Sequence, residues 1–84
     1  MDLKDQFGAS IEKAKGLPNQ NIETLLELYG LYKQATVGDV EGDRPGGFDL
    51  RGQAKFDAWE KKRGLSSEDA MQSYIELVDR LASG

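Results

Sequence analysis

The chain has 84 residues, enough for one domain built around a single modest hydrophobic core. With 38% apolar and 31% charged residues and only two prolines, its composition is that of a folded chain, not a disordered one. Cysteine and histidine are absent and the net charge is -4, which excludes disulfides, thiolate-bound zinc and Ser-His or Cys-His nucleophiles, and argues against a general nucleic-acid binder.

Leu3, Phe7, Ile11 and Ala14 recur at steps of four and three, the spacing of one helical face, with Asp2 placed as an N-cap and Gly16 as the end. The run Gly16-Leu17-Pro18-Asn19-Gln20-Asn21 combines glycine, proline and amides and reads as a connector. After Asn21 as a second cap, Ile22, Leu25, Leu26, Tyr29 and Tyr32 keep helical spacing while Leu28, Leu31 and Ala35 widen the apolar surface. This second helix is predicted to be the most buried element.

Four glycines, a proline and no sustained periodicity mark Val37 to Leu50 as a loop longer than most connections in a compact domain. Helicity is predicted to resume near Arg51 or Gly52 for about three turns, with Ala54, Ala58 and Trp59 on one side and Gly64 at the C-terminal cap. Ser66 followed by Asp69 resembles a capping box, and Met71, Tyr74, Ile75, Val78 and Leu81 then form a stripe running almost to the end. With no β-type alternation or internal repeat, residues 1–84 read as one all-α domain, a four-helix bundle.

Two clusters stand out for function. Tyr29, Tyr32 and Lys33 stand at i, i+3 and i+4, so two hydroxyl-tipped rings and one ammonium share a face suited to a flat ring and an anion; the same spacing fits core tyrosines beside a solvated lysine. Arg51 and Lys55, one turn apart, fit half of a phosphate clamp or an ordinary wet helix face. Because the overall charge is acidic, any anion site has to be a local basic cluster of this kind.

The segment Leu25-Leu26-Glu27-Leu28-Tyr29-Gly30-Leu31-Tyr32-Lys33-Gln34-Ala35-Thr36-Val37-Gly38-Asp39 resembles the signature of the acyl-coenzyme A binding protein family. The resemblance continues through Arg44-Pro45-Gly46, Phe48-Asp49, Gly52, Ala54-Lys55-Phe56-Asp57-Ala58-Trp59 and Ser66 to Ile75, covering nearly the whole chain in the family's order. It implies an up-down-down-up four-helix bundle that holds the coenzyme A head in a surface bowl and folds the acyl chain into an apolar groove. Carried over position by position, Tyr29, Tyr32 and Lys33 are the adenine and phosphate residues and Lys55 the main contact to the ribose 3′-phosphate. Arg51 matches a basic position where lysine is common. Tyr74 matches the tyrosine that closes the bowl, while its place in the Met71 to Val78 stripe equally suits a core residue, and Leu25 matches an apolar ligand contact.

The chain departs from the family pattern in two places. Its connector before the second helix is about two residues longer, so the family's lysine on the first helix corresponds to Lys15 or Lys13; Lys15 is favoured because it lies eight residues after Phe7, near the same face. Phe56 stands where tryptophan is usual, keeping a ring but losing an indole donor.

What the resemblance implies is a monomeric, cytoplasmic carrier of medium- to long-chain fatty acyl-CoA, with no cofactor and no metal. No apolar run reaches the ~20 residues of a membrane span, and the opening Met-Asp-Leu-Lys-Asp is unlike a secretory signal. Neither a membrane span nor a nucleic-acid partner is expected. A thioesterase or acyltransferase would need an activated nucleophile, and without Cys or His only rarer arrangements such as Ser-Lys remain. The competing class is a helical protein-docking module, separated from a small-anion binder by whether Lys33, Arg51 and Lys55 converge on one concavity lined by Tyr29 and Tyr32.

Overall fold

The computed structural model describes residues 2–84, and among them lie four α-helices: α1 (Leu3–Lys15), α2 (Ile22–Thr36), α3 (Leu50–Glu60) and α4 (Ser67–Ser83). Three starts follow from local capping chemistry: the side chains of Asp2, Asn21 and Ser66 accept the amide hydrogens of Asp5, Thr24 and Asp69, satisfying donors that have no partner inside the helix. Helix α3 begins at Leu50, a residue or two before the expected start, because Asp49 accepts from the Gly52 amide and caps it there. It ends at Glu60 with Lys61 as its cap. A turn through residues 61–64 follows, so Gly64, with φ of +94°, closes that turn and is not the helix cap.

Packing sets the directions. Lys13 on α1 pairs with Asp79 on α4 at 3.0 Å, and Leu3 and Met71, near the starts of the same helices, line one hollow, so α1 and α4 run parallel. Ser67 at the start of α4 donates to the Ala35 carbonyl at the end of α2 (2.6 Å), while Glu27 and Arg80 share a groove at the other end, so α2 and α4 are antiparallel. Helix α3 runs parallel to α2, with Leu26 beside Ala54 and Gly30 against Ala58. The result is the up-down-down-up bundle, in which α1 and α2 pack on α4, and α3 packs on α2 alone.

The core is formed by Phe7, Leu31, Ala35, Ala70, Met71, Tyr74, Ile75 and Val78. Five of these lie on α4, so α4, not α2 as expected, supplies most of it. The Ile22-Leu25-Tyr32 side of α2 is turned outward, with Ile22 65% and Leu25 48% exposed. The loop of residues 37–49 is pinned at several points. Val40 is buried. Trp59 Nε1 donates to the Gly38 carbonyl (2.7 Å), and Asp39 Oδ1 accepts from both Gln34 Nε2 and the Gly64 amide (2.8 Å each). Arg44 makes a two-pronged pair with Asp57 at 2.8 and 2.9 Å. The loop thereby ties α3 and the turn after it to the end of α2.

Candidate ligand-binding cleft

Since α2 is the helix on which α3 packs, their parallel pairing leaves an open concavity along one side. This cleft, about 360 Å³, is lined by Ile22, Leu25, Leu26 and Tyr29 from α2 and by Arg51, Ala54 and Lys55 from α3. One wall is therefore apolar and ends in a tyrosine, while the other carries two cations one turn apart. Mean size and lining suit a small amphipathic molecule with an anionic end. Lys55 Nζ lies 5.4 Å from the centre of the Tyr29 ring, so this cation bridges the cleft over an aromatic face.

Of the residues singled out from the sequence, Leu25, Tyr29, Arg51 and Lys55 are thus brought together in one concavity. Lys33 shares its helical face with Tyr29, but its ammonium lies 4.9 Å from the centre of the Trp59 ring on α3 and is not part of the cleft lining. Tyr32 and Tyr74 are not in the cleft lining and instead cluster with Phe7, whose ring meets Tyr74 edge-on at 5.1 Å and Tyr32 at 6.3 Å between centroids. Tyr74 is 6% exposed, in keeping with a core residue of the α4 stripe. Burial, with the neighbouring Tyr32 as a lesser cause, pushes its phenol above the usual tyrosine value.

The two lysines considered on α1 are separated by their partners. Lys13 is directed to α4 through Asp79, whereas Lys15 pairs with Glu12 on its own helix at 2.8 Å, an exposed contact that raises the lysine's pKa. Neither lines the cleft. Sequence reasoning passed over Gly30, where a built Cβ would meet the Ala58 carbonyl oxygen at 2.5 Å. A glycine in the interior of an otherwise good helix was the available signal. Among the described residues no cluster of acidic side chains could hold a metal ion, and no helix is long and apolar enough to cross a membrane.

Comparison with known proteins places this geometry in a context. The family model described as "Acyl CoA binding protein" matches residues 4–78. The chain is 54% identical over 82 residues to the acyl-CoA-binding protein of Ricinus communis, covering 96% of this chain and 91% of that one. It is 51% identical over 85 residues to the acyl-CoA-binding protein homolog of Manduca sexta, covering 96% and 92%. The crystal structure of Oryza sativa acyl-CoA-binding protein 2 superposes with a TM-score of 0.95 at 48% identity, covering 98% of this chain and 92% of that one.

Proposed function

Because the chain belongs to the acyl-CoA-binding protein family, we propose that it is a carrier and buffer that binds medium- to long-chain fatty acyl-CoA esters non-covalently at the α2–α3 cleft. The observation that carries this reading is the meeting of an apolar wall, Ile22, Leu25 and Leu26, with Arg51, Lys55 and Tyr29 in one concavity. An acyl chain gains about 0.8 kcal/mol per methylene removed from water, and phosphates gain from paired cations. One cleft supplies both at opposite walls, whereas a surface built to dock a partner helix would not need two cations along one wall.

The coenzyme A head is assigned to Tyr29, Arg51 and Lys55 in the cleft and Leu25 to the chain, while Tyr32, Lys33 and Tyr74, outside the cleft lining, are assigned to the head on the family resemblance alone. Lys15 joins this set in the bound state, when an anion competes with Glu12 for its ammonium. No bond is made or broken: the protein acts by mass action as a cytoplasmic monomer, lowering free ester and shielding the thioester, without a cofactor. Titration calorimetry with palmitoyl-CoA and with coenzyme A is the test. A stoichiometry of one with far tighter binding of the ester supports the carrier, and absence of heat with either ligand rejects it.

A further inference from the structure

Gly30 lies in the middle of α2, where glycine is a poorer helix residue than alanine, so its place there calls for a compensating contact. That contact is with α3. A Cβ at Gly30 would lie 2.5 Å from the Ala58 carbonyl oxygen and 3.0 Å from its carbon, both backbone atoms that no side-chain rotation can move away. Ordinary contact begins near 3.4 Å, so a side chain here would drive the two helices apart by about 1 Å. Because α3 packs on α2 and on no other helix, α3 is the element that would yield.

Both neighbours of this contact belong to the cleft. Tyr29 precedes Gly30 on α2, and Lys55 lies one turn before Ala58 on α3; these are the two residues whose ammonium and ring face each other across the cleft. We infer that Gly30 is a positioning residue for head-group recognition: the bare backbone contact between Gly30 and Ala58 sets the spacing of α2 and α3 at which the Lys55 ammonium reaches the anion seated over Tyr29. This rests on the acyl-CoA reading of the cleft. The acyl chain, by contrast, lies along Leu25 and Leu26, a turn or more away, and depends less on that spacing.

The test is calorimetry on the parent, Gly30→Ala, Lys55→Ala and the double variant with coenzyme A and with octanoyl, dodecanoyl and palmitoyl esters. Binding of palmitoyl-CoA by the parent tests the carrier reading by itself; the inference concerns only ratios between variants. Gly30→Ala should weaken coenzyme A by about tenfold while the gain per added methylene stays that of the parent, and should cost little on the Lys55→Ala background, since both changes remove one contact. Lys55→Arg, with its longer reach, should restore affinity in Gly30→Ala and not improve the parent, a rescue that a merely structural role for Gly30 would not produce. Should Gly30→Ala lack helical circular dichroism, Glu27→Ala loosens the same attachment by removing the carboxylate that ties α2 at 2.6 Å to Lys62 in the turn after α3, and its coenzyme A loss should likewise vanish on the Lys55→Ala background. Losses that add fully, or coenzyme A affinity unchanged in the folded variants, overturn the inference.

Discussion

The Lys55 ammonium rests 5.4 Å from the centre of the Tyr29 ring, joining the two helices of the cleft. An exposed cation–π contact contributes about 0.5–1 kcal/mol, whereas a hydrogen bond to a charged group contributes about 1.5–3 kcal/mol. On the proposed reading of the cleft, a phosphate would outcompete the ring for this ammonium. The ring contact is weak enough to leave the cation free to exchange partners.

Lys55→Ala should accordingly weaken long-chain acyl-CoA by roughly 10- to 150-fold, the range that one charged hydrogen-bonded contact implies, with helical circular dichroism unchanged. Lys55 is exposed and takes no part in the core, so fold and binding should separate. If its partner is the 3′-phosphate, dephospho-coenzyme A esters should bind the parent weakly and lose little more on Lys55→Ala. Calorimetry showing fully additive losses would place the 3′-phosphate elsewhere.

Affinity should rise with acyl length until the apolar wall of Ile22, Leu25 and Leu26 is covered, by at most about 0.8 kcal/mol per methylene and less where water still reaches the chain. Leu25→Ala should flatten that rise while leaving free coenzyme A binding within about twofold. Equal affinities for acetyl and palmitoyl esters would mean that the chain stays in solvent.

What could be read from the sequence divides along physical lines. Caps are local, so Asp2, Asn21 and Ser66 announced three helix starts, and the α4 stripe was unambiguous because it has one apolar face. On α2 the apolar residues run most of the way round, and periodicity alone does not say which side meets the core. The outward turn of Ile22 and Leu25 depends on α4 covering Leu31 and Ala35 instead. Lys33 and Lys15 share a similar difficulty, since which ring or carboxylate an ammonium meets is decided by tertiary neighbours such as Trp59 or by a rival such as Glu12. The Gly30–Ala58 approach is of the same kind: the glycine is visible in the sequence, but its partner is 28 positions away.

Asp39 gives the fold an acid-sensitive joint. The Gly64 amide hydrogen first, and the Gln34 side chain second, hold its carboxyl below the usual aspartate range, with Arg63 helping and burial opposing. A depressed folded pKa means that the contribution is present above the unfolded value of about 3.9 and is lost as pH falls through the folded one. Asp39→Asn keeps an acceptor oxygen without the charge, so its melting midpoint should lie below the parent's at neutral pH and approach it as the pH falls below the usual aspartate range. Asp57, also depressed by Arg44, leaves both proteins some acid sensitivity, so the difference between them is the quantity to follow. A gap that stays constant with pH would show that Asp39 acts through shape alone.

Ligand should also stabilise the native state, and by a calculable amount. A ligand at about 100 times its dissociation constant adds roughly 2.7 kcal/mol to a fold that alone can bind it. In a domain of this size each kcal/mol moves the melting midpoint by about 4–8 °C, so saturating palmitoyl-CoA should raise it by roughly 10–20 °C. The unfolded chain has no cleft, because the lining residues come from two helices that are separated in sequence by the loop of residues 37–49. Palmitate at the same concentration lacks the phosphates that Arg51 and Lys55 would hold and should move the midpoint far less, and Lys55→Ala should lose much of the rise at an ester concentration that only just saturates the parent. A midpoint indifferent to palmitoyl-CoA, or raised equally by palmitate, would mean that the two cations of the cleft do not read the coenzyme A head.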